Sequence, residues 1–358
     1  MPKKIKAIIS NCSGCGDTMI YNPEINMLFC PSCKSSKKIK SNLGMPKHDV
    51  NSKDEKLLNK NQEWIKNIHE MECPNCGAHV MLNNYQVTTN CPYCDTSLIA
   101  SKNNSSALHP DAIIPFKISR TQAENMFKKK LQEKSFAPKR FKQSIKADEI
   151  HAYYFPTFVF DANCSSVYNG KLYNTYTVKD KNGFSETKKR YFSINGSLNT
   201  NHQEIEIEAS SKLSQYELSI IKPFNYKEAF EYTDEYVFGY ELECNSSNVK
   251  ETSSQARNVI DQHIRREILS KYSHDGVDSL TIQTAYNTFR YCYCVLPMYR
   301  INYTYKNKKY SNVMNGQTGA LGGSYPKSVA KIVALILGIL LIVGLPVLLI
   351  VLSAIGII

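Results

Sequence analysis

The stretch NCSGCGDTMIYNPEINMLFCPSCK, residues 11–34, decides how the N-terminal part of this chain folds. It contains two Cys-x-x-Cys pairs, Cys12 with Cys15 and Cys30 with Cys33, and 14 residues separate the pairs. Two residues between cysteines allow a tight turn that points both sulfurs at one ion, and two such turns complete a tetrahedral shell. Between the pairs, MIYNPEINMLF predicts a strand, an Asn-Pro turn and a second strand. The spacing therefore predicts a small metal-binding β module, a zinc ribbon.

The same spacing returns in residues 72–95, ECPNCGAHVMLNNYQVTTNCPYCD. Each of its four cysteines lies 61 positions after a cysteine of the first set, so the segment is an internal repeat. Proline follows the first cysteine in three of the four pairs, and glycine follows the second cysteine in two; both residues favour tight turns. The candidate metal ligands are Cys12, Cys15, Cys30, Cys33, Cys73, Cys76, Cys91 and Cys94.

These cysteines predict two structural zinc ions, because a shell of four thiolates leaves no coordination position for water or substrate. Iron in a rubredoxin-like site shares the ligand geometry and is the alternative metal. A redox-active pair would not need a second pair at a matching distance. A module of about 25 residues has too little core to fold alone, so metal binding should supply most of its folding energy. The four other cysteines lack the spacing and are predicted to be packed thiols.

The C-terminal segment is uniformly apolar. Residues 332–358 contain no charge, and this length exceeds the roughly 20 residues that a helix needs to cross a bilayer. Lys327 and Lys331 lie just before or at its start, and no signal peptide begins the chain, so the positive-inside tendency favours a cytoplasmic N-terminal bulk. The segment predicts a single-pass, tail-anchored protein of the cell membrane. A hairpin of two half-spans is the alternative.

The remaining residues predict an α+β domain with a mostly antiparallel sheet. Segments 159–178 and 190–207 are rich in tyrosine and β-branched residues and predict strands broken by Asn-Gly turns, while residues 299–305 alternate with period two. Thr121–Lys134 and Thr252–Tyr272 predict helices. The predicted organisation is a first ribbon over 1–40, a linker and helix over 41–72, a second ribbon over 73–99, a linker over 100–110, the α+β domain over 111–327 and a transmembrane helix over 328–358.

Charge and motifs limit the function classes. The net charge of +12 indicates an anionic neighbour, either nucleic acid or membrane lipid. Between residues 120 and 146, nine Lys and Arg stand against two Glu, which fits either a solvated helix face or contact with anionic lipid. No phosphate-binding loop, dinucleotide glycine pattern or His-Glu-x-x-His motif occurs. The chain is therefore predicted not to be an enzyme.

The order of the motifs resembles one family. The two ribbons are followed by IIPFKIS, FAPKRFK, YYFPTFVFDA and LPMYRINYTYKNKKYSNVMNGQTGALGG, and then by the apolar C-terminus. This order is similar to that of the bacterial and archaeal membrane-anchored zinc-ribbon proteins, which carry transcription-factor-IIB-type ribbons and are often described as primosomal helicase-like. Some relatives of that kind belong with a phage-shock-protein-A-type membrane remodeller and a flotillin-like protein. Ser13-Gly14 and Lys34 depart from the usual pattern, but neither removes a ligand.

Together these features predict a membrane-anchored zinc-binding adaptor that positions a protein partner at the cytoplasmic face of the membrane, with the envelope-stress machinery as a candidate. The alternative is a ribbon protein that binds nucleic acid while tethered to the membrane, and the basic charge favours it. Against this alternative, residues 61–110 carry two lysines and four acidic residues, so the second ribbon is slightly acidic. The sequence predicts neither the identity of the partner nor the oligomeric state.

Overall fold

The computed structural model describes residues 10–52, 69–82, 88–91, 93, 96–99, 108–143, 149–179, 184–210 and 212–344. The strands within these residues are β1 (Ile20–Asn22), β2 (Met27–Phe29), β3 (Ser36–Lys37), β4 (His48–Asp49), β5 (His69–Glu72), β6 (His79–Leu82), β7 (Thr88–Asn90), β8 (Ser97–Ile99), β9 (Ala112–Ile113), β10 (Glu149–Lys179), β11 (Ser185–Glu208), β12 (Phe230–Glu231), β13 (Glu241–Glu243), β14 (Gly276–Tyr305), β15 (Lys308–Asn315) and β16 (Leu321–Gly323). The α-helices are α1 (Arg120–Gln132), α2 (Lys139–Gln143), α3 (Gln215–Ile221), α4 (Val249–Ser270) and α5 (Val329–Ile339).

Three long antiparallel strands form the spine of the molecule. β10 lies in the middle, with β11 along one side and β14 along the other. The half of β10 near its start is buried on both faces, as its run Tyr153-Tyr154-Phe155 shows. The other half is buried on one face only, because residues there alternate between buried and exposed positions. The spine therefore passes from a closed core into a half-open extension.

Helix α4 covers the buried face of this extension. Its apolar positions recur at helical spacing, and Ala256, Ile260, Ile264 and Ile268 are all fully buried. They pack with Ala162, Cys164, Tyr168 and Leu172 of β10 in one cluster. The side chain of Asn248 accepts a hydrogen bond from the Glu251 backbone and caps the helix. The helix predicted over Thr252–Tyr272 is thus confirmed with its start three residues earlier.

The predicted fold class is wrong in one main respect, because the sheet is mixed and dominates the described structure. β13 adds to β10 in parallel, and β9 adds to β14 in parallel. β6 then pairs with β13, so a strand of the second cysteine repeat joins the same sheet. Two-residue strands such as β9 carry too little periodicity to reveal their partners, and a parallel partner is always distant in sequence. The sequence pattern predicted the long antiparallel strands but not these additions.

The Asn-Gly pairs that predicted turns lie inside strands. Asn169 of β10 pairs directly with Asn195 of β11, so each following glycine is in mid-strand. A Cβ at Gly170 would lie 2.5 Å from the Ser279 carbonyl oxygen of β14. Glycine is required here for close approach of the backbones rather than for a turn. A turn does join β14 to β15, where Lys306 and Asn307 have positive φ values.

The predicted transmembrane helix over 328–358 is contradicted, and so is the cell-membrane location that depended on it. Within the described residues no helix combines the length and apolar character that a membrane crossing requires. Helix α5 has 11 residues. It continues into a single π turn over Leu340–Gly344. Residues 345–358 of the predicted span lie outside the described residues.

We expect Gly170→Ala to lower the free energy of unfolding by about 2 kcal/mol, because the added methyl group would overlap the β14 backbone, which cannot move aside. Val167→Thr is the control, since Val167 is 63% exposed on the same strand, and its effect should stay within about 0.5 kcal/mol. Chemical denaturation of both variants is the measurement. Equal stabilities would contradict the mid-strand position.

Candidate metal centres

The first cysteine set forms a compact cluster. The sulfurs of Cys12, Cys15, Cys30 and Cys33 all lie within 4.8 Å of one another. Cys12 Sγ is 3.4 Å from Cys33 Sγ, and Cys15 Sγ is 3.5 Å from Cys30 Sγ. Zn–S bonds of about 2.3 Å would place the sulfurs of a regular tetrahedron about 3.8 Å apart. The observed spacing fits one tetrahedral metal ion.

Two tight turns position these sulfurs. In each turn, a backbone N–H donates to the carbonyl of the first cysteine: Gly16 to Cys12 at 2.9 Å and Lys34 to Cys30 at 3.0 Å. Both donors have positive φ values, +77° and +65°. Gly16 adopts this conformation without strain, whereas Lys34 is a non-glycine residue in the left-handed region. The departure noted at Lys34 therefore leaves the turn geometry intact.

Hydrogen bonds favour ionised sulfur at Cys12 and Cys33. At Cys15 the Asp17 backbone N–H lowers the pKa, but hydrogen bonds with Cys30 and Cys33 outweigh it and raise the pKa. The Ser35 hydroxyl lies 3.0 Å from Cys12 Sγ and 3.1 Å from Cys33 Sγ. The Ser35 hydroxyl, followed by backbone N–H groups, lowers the pKa of the Cys12 thiol to about 6, and Ser35 also lowers the pKa of Cys33. Four adjacent thiolates repel one another, so a cation is needed to hold all of them ionised. The donor set fits a thiophilic divalent metal such as zinc.

The second set repeats the arrangement in the residues that the structure describes. Cys73, Cys76 and Cys91 form a group that could hold a metal ion, and Cys76 Sγ lies 3.5 Å from Cys91 Sγ. Gly77 has a φ of +66° and donates its N–H to the Cys73 carbonyl at 2.7 Å, as Gly16 does in the first set. Cys94, the predicted fourth ligand, lies outside the described residues. Both cysteine sets are thus compatible with zinc ribbons.

The first ribbon packs into the main core through Tyr21. This residue is 2% exposed, and its hydroxyl lies 2.9 Å from the Phe116 carbonyl oxygen. Its ring makes an edge contact with Tyr236 at 5.3 Å between centroids. Cys12 and Cys30 belong to the same buried cluster as these aromatic residues. The metal centre is therefore continuous with the hydrophobic core.

A buried polar network attaches the second ribbon to the sheet. The Tyr93 hydroxyl, between Cys91 and Cys94 in sequence, donates to the Glu243 carboxylate of β13. The Arg300 guanidinium of β14 lies 5.0 Å from the Tyr93 ring centroid and donates to Glu217 at 2.7 Å. Lys212 Nζ donates to the Cys76 carbonyl at 2.5 Å. These contacts hold one edge of the ribbon against the main sheet.

Burial raises the pKa values of two carboxyl groups of this region toward or above neutral pH. Burial raises the pKa of Glu243 to about 7 and that of Glu208 to about 8. The charge of Glu243 also raises the pKa of Glu208, since two nearby carboxylates repel each other. Sequence reasoning did not identify this network. The alternation over residues 299–305 predicts that polar side chains such as Arg300 face solvent. The Arg300 side chain is instead buried, with 6% of the residue exposed.

The remaining cysteines are buried away from both clusters. Cys164, Cys244, Cys292 and Cys294 are at most 2% exposed. Burial raises the pKa of the Cys164 thiol to about 11 and also raises those of Cys292 and Cys294. A protonated, buried thiol is a poor nucleophile and a poor metal ligand.

Comparison with known proteins gives one relative of matching length. The chain is 26% identical over 337 residues to the uncharacterized protein YdjG of Bacillus subtilis (strain 168), and the match covers 92% of this chain and 93% of the relative. No family model matches the chain. No solved structure matches it either.

We expect native mass spectrometry of the full chain to show two zinc ions. Cys30→Ser should remove one ion, because three sulfurs hold zinc less tightly than four, and Cys76→Ser should remove the other. Cys164→Ala is the matched control, since Cys164 is buried outside both clusters, and it should keep two. One bound ion in the wild type, or the iron absorption of a red protein, would contradict the assignment.

We expect Glu208→Gln to stabilise the protein increasingly as the pH rises. The unfolded carboxyl ionises near pH 4.3, whereas the folded one stays protonated to about pH 8. The free energy of unfolding therefore falls between these values as pH rises, and glutamine removes that loss. Glutamine also keeps the acceptor for the Leu213 N–H. After allowance for solvent screening, the advantage should grow by about 1–2 kcal/mol from about pH 5.5 to about pH 8. Denaturation at both pH values measures it, and a constant advantage would contradict the raised pKa.

Proposed function

We propose that this protein is a non-enzymatic adaptor in which zinc-stabilised ribbons present a rigid surface to a protein partner. The observation that carries the proposal is the first cluster of four sulfurs within 4.8 Å. A complete sulfur shell leaves the metal no open position for substrate, so its role is structural. The ion would hold β1 and β2 in a fixed hairpin and supply no reactive group.

The surface around this hairpin supports partner binding. Ile20 and Ile25 are 37% and 46% exposed on the first ribbon, and Leu43 nearby is 64% exposed. Exposed apolar side chains on a rigid element are typical of protein contact sites. The two-point attachment of the ribbons to the sheet would keep such a surface in one shape, which lowers the entropy cost of association.

The family resemblance suggests which partner to test first. Some members of the family that this sequence resembles belong with a coiled-coil membrane remodeller of the phage-shock-protein-A type and with a flotillin-like protein. We propose a protein of one of these two types as the partner, with the finer assignment to the transcription-factor-IIB-type ribbon family as part of the same hypothesis.

Nucleic-acid binding is the second candidate, and the tip of the β10–β11 hairpin favours it. Lys171 lies 4.8 Å from the Tyr191 ring centroid, Lys189 lies 4.1 Å from that of Tyr173, and Arg190 lies 5.3 Å from that of Tyr176. Cations beside exposed aromatic rings can neutralise phosphates while bases stack.

We expect a photo-crosslinker at Ile25 to capture the remodeller-type or flotillin-like protein in cells, because Ile25 is exposed on the metal-stabilised hairpin. The same crosslinker at Arg265, an exposed position on α4, is the control and should not capture it. Cys30→Ser should abolish capture at Ile25, since the hairpin loses its metal.

A salt titration separates the second candidate. Tight binding of a single-stranded oligonucleotide at low salt, with a steep loss as salt increases and with no protein captured at Ile25, would reverse the ranking of the two functions.

A further inference from the structure

A pocket of about 500 Å³ opens between the first ribbon and the main sheet. Pro23 and Asn26 of the β1–β2 turn form one wall, and Ile114 and Phe116, which follow β9, form the opposite wall. Leu43 lies at the rim. The volume falls in the range of specific ligand sites, which are about 300–1,000 Å³. Neither metal centre lines this pocket, so it is a separate candidate site.

The walls of the pocket are fixed before anything binds. The Tyr21 hydroxyl lies 2.9 Å from Asn26 Oδ1 and 2.9 Å from the Phe116 carbonyl oxygen, and so ties the two walls together. The Phe116 ring is stacked on Tyr240 with 4.4 Å between centroids. The free-energy cost of reorganising the protein on ligand binding should therefore be small.

The polar rim carries one unmatched positive charge. Glu228 is paired with Lys117 at 2.6 Å and accepts a hydrogen bond from Gln317 Nε2 at 2.8 Å. The hydrogen bond from Lys117, with a smaller one from Gln317, lowers the pKa of Glu228, so it stays ionised and satisfied. Lys227 lines the same pocket, and within the described residues no carboxylate pairs with it. The occupant should therefore combine an apolar group with one negative charge.

We propose that this pocket binds a peptide segment of the protein partner in which a leucine-sized side chain is followed by Asp or Glu. The apolar side chain would lie beside Pro23, Leu43 and Phe230, and the carboxylate would pair with Lys227. This inference rests on the proposed adaptor function, which supplies the peptide. Charge complementarity supports an acidic segment, because the chain carries a net charge of +12.

The site also depends on the first metal centre. Pro23 and Asn26 lie between Cys15 and Cys30 in sequence, so the hairpin that forms one wall is held by the metal shell. Removal of the ion should release this wall and open the pocket. Binding of the partner segment is thus conditional on an intact first ribbon.

The test uses the zinc-loaded full chain and two capped dipeptides, acetyl-Leu-Glu-amide and acetyl-Leu-Gln-amide, with binding followed by ligand-observed NMR. We expect the Glu peptide to bind about threefold more tightly, as for a partly exposed ion pair. Lys227→Gln should abolish this preference. Lys250→Gln, at an exposed lysine on α4, is the matched control and should retain it.

A second variant tests the apolar wall. Leu43→Ser should weaken both dipeptides, and because Leu43 is 64% exposed the fold should survive the change. Chelation of the metal should abolish binding, and added zinc should restore it.

Three results would overturn the proposal: equal affinity of the two dipeptides, a Glu preference that survives Lys227→Gln, or acetyl-leucine binding as tightly as acetyl-Leu-Glu-amide. Equal binding of acetyl-leucine would mean that the pocket binds a free C-terminal carboxylate rather than an acidic side chain. Failure of the dipeptides together with metal-dependent capture at Ile25 would refute this pocket and leave the adaptor function standing. Loss of that capture would refute the adaptor function instead.

Discussion

The pairing of β10 with β14 is the interaction on which the rest of the molecule depends. It runs from Glu149 opposite Asn302 to Tyr173 opposite Gly276, with two register shifts. The first half is covered on both faces and forms the core, and the second half is covered by α4 alone. The second ribbon reaches this pair through β13, which adds to β10. The first ribbon reaches it through Phe116, whose ring packs edge-on against Tyr154 of β10.

The metal centres act as small cores that the chain could not build from side chains. A ribbon buries few apolar residues, and the sulfur shell supplies the missing cohesion. Tyr21 inserts the first ribbon among the aromatic residues of the main core, while β6 adds the second ribbon to the sheet edge through β13. Because both attachments involve buried contacts, the ribbons form a fixed surface with the body. The pocket beside Tyr21 exists only because of that attachment.

Electrostatics makes the second attachment different from the first. Arg300, Glu243 and Tyr93 meet in a region from which water is largely excluded. Burial penalises the charged form of each carboxyl more than the neighbouring cation compensates, so Glu243 and Glu208 have raised pKa values. Such a network costs stability when it is incompletely paired, and it specifies one geometry when it is formed. The first ribbon, by contrast, is held mainly by aromatic packing.

The sequence by itself determined what is local. The Cys-x-x-Cys spacing predicted the four clustered sulfurs of the first set and the three described in the second, and helical periodicity predicted α1 and α4. These features depend on residues a few positions apart or on a repeated spacing, so they can be predicted from local sequence patterns. Only the tertiary structure decided that Gly170 lies inside a strand, that Arg300 is buried, and that β9 and β13 add in parallel. Each of these features depends on which segment, distant in sequence, packs against the residue or strand in question. No local pattern in the sequence identifies that segment.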